Sequence, residues 1–351
     1  MARDTLLVYG AYGFTGRLVL ENLKARGIGF VVAGRDERRV AQVASELGSP
    51  HRVFALDDSR RLDRALSGIG VLLNAAGPFL RTTAPLLGAC LRRGIHYLDL
   101  SGEVRPLEHA ASLDADARKR KVMILPGVGF DVVPSDCLAV HLAHRMPGAQ
   151  ALTLSISGSN LLSRGSAFTF AEHAGIPVYV RKSGLLEPML FRTQMRWVDF
   201  GFDIRPAIAV SWGDLVTAFR STGIPDIEVY FEATTPRWMG ISGNQYFGWM
   251  FRQPWMRSWL KAYASSVPEG PTSDARRRER VVIVGEASRS GRRVRARLTT
   301  PEAYTFTGTA AAAIVERVLG GLVAHGFQTP GALLGADFVL SLDGVCREDL
   351  S

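Results

Sequence analysis

Apolar and polar positions alternate in blocks along the first 125 residues. The runs "TLLVYG", "FVVAG", "HRVFAL", "VLLNAAG", "HYLDLSG" and "KVMILPG" are nearly all apolar, as expected of strands covered on both faces. Between them stand "FTGRLVLENLKARG", "RDERRVAQVASELG", "SRRLDRALSG", "APLLGACLRRG" and "VRPLEHAASLDADARKRK", whose apolar residues recur at helical spacing. Strands alternating with helices predict right-handed crossovers and a parallel sheet, hence an α/β chain. The rhythm changes after Gly127. "PSDCLAVHLAHRM" reads as a helix with Pro134 at its start, and "ALTLSIS" alternates like a half-exposed strand. The stretch from about 150 to 305 mixes both patterns. Within it "RVVIVGEASRSGRRVRARLTT" predicts a hairpin around "SRSGR", and "GTAAAAIVERVLGGLVAHG" predicts a late helix.

The first strand runs into Gly10, Gly13 and Gly16, and a helix follows. Gly10 permits a tight turn, Gly13 lets a pyrophosphate approach the backbone, and Gly16 lets helix pack on strand. The helix start adds free N–H groups and partial positive charge. The turn, with Tyr12, Phe14 and Thr15 between its glycines, predicts a dinucleotide site on a Rossmann-type, doubly wound parallel sheet. An NAD enzyme places an acid after the second strand. Here the first polar residue there is Arg35, suited to a 2′-phosphate. Arg38 and Arg39 lie one turn on, and Asp36 is the counter-indication. NADP(H) is therefore the expected cofactor. Ligands sit outside the carboxyl ends of such strands. That adds Asp57 after the third strand, and Asn74, Ala75, Ala76 and Gly77 after the fourth. Turn chemistry is the alternative for each.

Composition narrows the remaining classes. The chain has 351 residues, suggesting two domains, and 47% are hydrophobic. A net charge of +9 allows an anionic partner, but no nucleic-acid-binding motif is present. Cys90, Cys137 and Cys346 stand far apart, so neither a zinc site nor a disulfide framework is expected, and no metal is assigned. Without a leader or an apolar run of membrane-span length, the expected location is cytoplasmic.

The motifs "YGAYGFTGRLV", "AGR", "NAAGPF", "HYLDLSGE" and "GVGFDVVPSD" together resemble the saccharopine dehydrogenase-like (saccharopine reductase-like) oxidoreductases, a family that includes trans-acting enoyl reductases. "SWGDLVTAFRSTGIPDIEVY", "TPEAYTFT" and "GFQTPGALLGADFVLSLDGV" extend the resemblance through the chain. It implies that the second domain is an α+β insertion. The Rossmann domain would cover 1–129, completed by about 305–351, and the substrate and dimerisation domain 130–304. Family members often carry Ser or Thr where this chain has Val132, and the long central insertion of the mycobacterial enoyl reductases is missing.

Hydride transfer needs orientation and usually a proton donor. Tyr97 and Tyr179 lack a Lys four residues on, and no G-x-S-x-G occurs. The candidates are positional. Glu103, with Asp99 and Ser101, ends the fifth strand, and Asp131, Ser135 and Asp136 lie at the next junction. Glu103, Asp131 and Ser135 are the catalytic candidates. A helix cap or domain-junction hydrogen bond is the alternative for Glu103 and Asp131, and a place in a first helical turn for Ser135. Ser101, Arg164, Ser166, Trp212, Asp214 and Thr222 are candidates for a substrate pocket; His141, His144 and His173 take no role. Residues 245–263 interleave Trp249, Trp255 and Trp259 with Arg252, Arg257 and Lys261. This segment would lie at a membrane interface or an opening for an oily substrate, or else pack in a core or dimer interface.

The expectation is thus an NADP-dependent reductase acting on an activated C=C or C=N bond of a largely apolar, lipid-, polyketide- or terpenoid-like small molecule. It would be a homodimer with no nucleic-acid partner, with peripheral membrane contact through 245–263. An opine-type amine dehydrogenase is the second reading. It would need arginines from Arg181, Arg192, Arg196, Arg205 and Arg220 to converge on carboxylates. A cofactor-binding, membrane-associated interaction protein with little catalysis is the third.

Overall fold

The computed structural model describes residues 5–158, 163–189, 195–234 and 248–350. The chain forms two compact units, Met1–Val133 with Tyr304–Leu333, and Pro134–Ala303 with Leu334–Ser351.

The first segment runs β1 (Leu6–Tyr9), α1 (Phe14–Ala25), β2 (Phe30–Gly34), α2 (Glu37–Leu47), β3 (His51–Val53), α3 (Ser59–Ala65), β4 (Val71–Asn74), α4 (Phe79–Arg93), β5 (His96–Asp99), α5 (Val104–Ser112), α6 (Asp114–Lys119) and β6 (Met123–Leu125). β1, β2 and β4 are buried at every position, which is why they read as unbroken apolar runs. The long helix expected before the sixth strand is two, divided at Leu113.

The second unit begins with α7 (Val133–Arg145), β7 (Ala151–Ser157), α8 (Arg164–His173), β8 (Val178–Lys182), β9 (Leu185–Met189), β10 (Met195–Asp199), β11 (Ile204–Val210), α9 (Asp214–Thr222) and β12 (Asp226–Glu232). It continues with α10 (Pro254–Ser266), α11 (Ser273–Arg278), β13 (Arg280–Arg289) and β14 (Arg292–Pro301). The chain then returns to the first unit through α12 (Ala303–Leu319), β15 (Gly326–Phe327) and α13 (Pro330–Leu334), and ends in β16 (Cys346–Leu350).

The first unit's sheet has the order β15-β6-β5-β4-β1-β2-β3 with every pair parallel. The direction of winding reverses between β1 and β4, and the crevice outside their carboxyl ends is where such sheets take ligands. α12 packs on α1 by close backbone approach. A Cβ on Gly308 would stand 2.8 Å from Asn22 Nδ2 and 3.2 Å from the Leu18 carbonyl oxygen. Arg26 and Glu316 add an ion pair at 2.6 Å.

The second sheet runs β10-β11-β12-β7-β13-β14-β16, with β8 on β12 and β9 on β8. The expected hairpin is β13 and β14, turning at Ser290 and Gly291, both at positive φ. Where the sequence returns 305–351 to the first domain, the structure groups 334–351 with the second unit. The reason is β16, which adds antiparallel to β14 from Cys346↔Thr299 to Leu350↔Arg295.

Candidate functional site

Gly10 leaves β1 at φ +84° and donates to the Ala33 carbonyl at 2.9 Å. A side chain there would lie 2.7 Å from the Ala76 backbone, so the turn after β1 runs against the turn after β4. Gly16 faces inward: a Cβ would meet the Gly10 carbonyl and sit 3.1 Å from Ala11 Cα. Gly13 stands before α1 in an extended conformation and, having no side chain, offers that helix no side-chain cap. A Cβ on Gly13 would touch only the Gly10 oxygen, at 3.3 Å. A helix start whose cap position carries no side chain, behind a glycine turn, fits a pyrophosphate.

The end of β2 is equally specific. Gly34 lies under the Tyr12 ring, where a Cβ would come within 2.5 Å of a ring carbon. The Arg39 guanidinium sits over that ring at 4.6 Å and donates to the Tyr12 carbonyl at 3.3 Å. Asp36, the counter-indication to NADP, is the cap of α2: its carboxylate accepts from Arg39 N at 3.0 Å. Arg35 is exposed and makes no hydrogen bond or ion pair among the described residues. Cations thus dominate this corner, and the residues present fit a 2′-phosphate. Asp57 is exposed beside a cleft lined by Val53, Phe54, Ala55, Arg61 and Arg64.

After β4, Asn74 is buried and fully engaged. It accepts from Ala76 N at 3.0 Å and donates to Thr82 Oγ1 and the Tyr97 hydroxyl at 3.0 and 3.2 Å. The side chain therefore shapes the turn. Ala75 and Ala76 are half-buried and Gly77 is exposed. Thr82, which sequence reading passed over, closes the turn by donating to the Ala76 carbonyl at 2.7 Å.

The ends of β5 and β6 carry the acids. Asp99 is buried and accepts from Ser101 N and Gly127 N at 2.9 Å each and from the Tyr97 hydroxyl at 2.8 Å. Burial pushes its carboxyl up to about 6 despite those donors. Ser101 Oγ accepts from Glu103 N at 3.2 Å. Glu103 is a helix cap, though not for the helix that follows it. Its carboxylate takes Phe79 N at 2.9 Å and Leu80 N at 3.1 Å, supplying the cap that Pro78 cannot give α4. Asp131 differs. Its side chain lies over Gly102, where a Cβ would be 2.8 Å from Oδ2. It is half-buried and accepts no hydrogen bond among the described residues. Burial first, and the Glu103 charge second, push its carboxyl up to about 7.

Residues 6–125 match the family model described as the saccharopine dehydrogenase NADP binding domain. Over these residues the chain is similar to the saccharopine dehydrogenase-like oxidoreductases. Its NADP binding domain holds the glycine turn, Arg35, Asp57 and the β4 and β5 ends. Among curated proteins, a trans-acting enoyl reductase of Mycobacterium ulcerans (strain Agy99) is 30% identical over 187 residues, 50% of this chain and 43% of the relative. A lipid droplet localized protein of Caenorhabditis elegans is 30% identical over 150 residues, 39% of this chain and 35% of the relative. The matches thus span less than half the length of either relative. Among solved structures, apo saccharopine dehydrogenase (L-Glu forming) from Saccharomyces cerevisiae aligns over 99% of this chain and 100% of its own. The TM-score is 0.64 at 13% identity, a likeness of fold.

Outside the NADP binding domain, Ser135 is buried in the first turn of α7. Asp136 beside it accepts from the Ser221 hydroxyl at 2.6 Å. Arg164 and Ser166 open α8. Arg164 donates to the Val267 carbonyl at 2.8 Å, and Ser166 N donates to the capping Ser163. Trp212 rests edge-on against Phe231 at 4.7 Å, with its Nε1 buried and unbonded. Asp214 is buried at the start of α9, and Thr222 finishes that helix by donating to the Ala218 carbonyl at 2.5 Å. Arg164, Ser166 and Thr222 therefore serve local helix ends, chemistry that residue type alone does not separate from a pocket lining. Of Arg38 and Arg39, the two arginines one turn beyond Arg35, it is Arg39 that stacks on Tyr12.

Proposed function

We propose that the chain is an NADP(H)-dependent reductase of an activated C=C or C=N bond in a largely apolar small molecule, with Asp131 as proton donor. The carrying observation is the Asp131 carboxyl, free of hydrogen bonds among the described residues and held near neutrality, at the carboxyl edge of the sheet that bears the glycine turn. Bound NADPH supplies a hydride. Gly10, Gly13 and the α1 N-terminus hold the pyrophosphate, and Arg35 with Arg39 takes the 2′-phosphate. Asp131 keeps a proton at neutral pH and gives it to the substrate atom beside the one receiving hydride. Glu103 is a positioning residue. It anchors α4 and keeps a negative charge near Asp131, which holds that proton on. The similarity to a trans-acting enoyl reductase favours C=C over C=N.

The amine dehydrogenase reading loses support. Arg181 is buried and donates to the Leu215 and Gly184 carbonyls. Arg205 pairs with Asp203 and Glu232, Arg196 lies over the Tyr230 ring, and Arg192 is outside the described residues. A cytoplasmic homodimer belongs to the same proposal, and sedimentation velocity checks the dimer.

The test is NADPH oxidation against enoyl thioester, imine and ketone panels, with Asp131→Asn beside wild type. A general acid contributes about 10²- to 10⁴-fold, so kcat falls by that order while NADPH affinity holds. Protein that binds NADPH and turns over no panel member sinks the reductase. Full activity in Asp131→Asn removes Asp131 alone.

A further inference from the structure

α10 carries a surface that reduction chemistry does not use. Leu260, with Met256 and Phe251 beside it, packs against Ala171 of α8 and Ala174 just beyond it, and Ala264 is buried on the same helix. A spacing of four puts the next side chains on a neighbouring flank. There Trp255, Trp259 and Tyr263 are 61, 59 and 57% exposed, and Trp249 ahead of the helix is 63% exposed. Residues 245–247 of the aromatic segment lie outside the described residues. Pro254 sits in the first turn and opens this helix, which is separate from the helical residues 248–251 before it. Trp259 and Tyr263 stack at 6.0 Å, so part of the ridge is ordered by its own contacts. Large rings this open, gathered on one element, mark a contact surface.

Charge decides what covers it. Between 248 and 268 stand Arg252, Arg257 and Lys261, all exposed, and no Asp or Glu. A two-fold contact with a second copy through this face would set those cations against themselves. An anionic lipid surface suits both features, because indole and phenol rings settle at headgroup level while cations meet the phosphates. α10 has 13 residues, too few to span. Among the described residues no helix is long and apolar enough to cross a membrane, so the contact lies in the plane of the interface.

We propose that α10, with Trp249, docks this protein on an anionic lipid surface. The inference goes beyond the reductase reading and requires no particular substrate.

Co-sedimentation of the full chain with phosphatidylcholine vesicles, with and without phosphatidylserine, tests it. Wild type pellets with the phosphatidylserine vesicles, more weakly as salt rises. Each basic side chain near an anionic surface is worth roughly fivefold, so Arg257→Gln/Lys261→Gln loosens binding about 25-fold. Trp255→Ala/Trp259→Ala stays in the supernatant at the lipid concentration that half-saturates wild type. NADPH affinity and melting temperature are measured on each variant and stay at wild-type values, which separates lost docking from a failed cofactor site. If the tryptophan variant folds poorly, the charge variant decides. Wild type that ignores both vesicles, or variants that pellet as wild type does, overturn the proposal. A dimer that the tryptophan variant splits gives the face to a second copy instead, and overturns it too.

Discussion

Gly10 and Gly13 sit three residues apart, and the structure gives them separate jobs that one pair of substitutions resolves. In Gly10→Ala the residue must hold φ +84°, which costs a non-glycine residue about 1–2 kcal/mol. Its Cβ would also stand 2.7 Å from Ala76 N, Cα and Cβ, against 3.4 Å for ordinary contact. The obstacle is backbone, so one turn must retreat by the difference, 0.7 Å, at about 1–3 kcal/mol. The sum, about 2–5 kcal/mol, lowers the melting temperature by roughly 4–20 °C at about 2–4 °C per kcal/mol. In Gly13→Ala the backbone is extended, at φ −72° and ψ 160°, and the single contact is 3.3 Å. Lower chain entropy and a poorer cap nearly cancel, so melting moves by only about 2 °C. The new methyl instead stands where the pyrophosphate approaches. The same crowding of about 1–3 kcal/mol there weakens NADPH about 5- to 150-fold. Differential scanning fluorimetry and calorimetric NADPH titration read both numbers on both variants. If Gly13→Ala binds NADPH as wild type does, the turn is structural only. If Gly10→Ala melts with wild type, the close approach of the two turns is wrong.

Arg35→Ala removes a charged partner of a phosphate worth about 1.5–3 kcal/mol, so NADPH affinity falls about 10- to 150-fold while NADH affinity holds; an equal loss for both cofactors refutes the assignment. Asp36→Ala removes the α2 cap, costs about 0.5–2 kcal/mol on unfolding and leaves the NADPH-to-NADH ratio unchanged; a shifted ratio would assign Asp36 to the ribose. Asp131 donates only while protonated, so kcat falls tenfold per pH unit above about 7, and a flat alkaline limb excludes it. Asp99 carries a folded value of about 6 against an ordinary 3.8, so its contribution to stability is complete below 3.8 and is lost as pH rises through 6. That loss is about 1.4 kcal/mol per pH unit, and denaturant melts of Asp99→Asn across this window should show a flatter decline than wild type.

The first sheet was legible because its signals are local. β1, β2, β4 and β6 are buried at every position and read as apolar by themselves, and the glycine turn is backbone chemistry within a few residues. β15 escaped notice because two residues, Gly326 and Phe327, carry no periodicity; only their pairing with Met123 and Ile124 makes them a strand. The middle strands were blurred for another reason. β10 and β11 expose Trp197 and Ile204, so burial and polarity do not alternate along them. Side-chain roles were the least legible. Glu103 caps a helix 24 residues back along the chain, and Asp131 owes its proton affinity to burial and to Glu103. Neither relation leaves a mark on local spacing, whereas Arg35 could be read because its role follows from its place after β2.

The polypeptide passes between its two units three times, at 133/134, 303/304 and 333/334. During synthesis the first unit therefore waits for α12 and β15, and the second for the residues of β16. Neither can close while the chain is emerging, and no single cut releases either one whole. A truncation after 303 leaves both halves unfinished at once, so the chain should lose its fold as one piece, and limited proteolysis should yield no stable fragment of either unit.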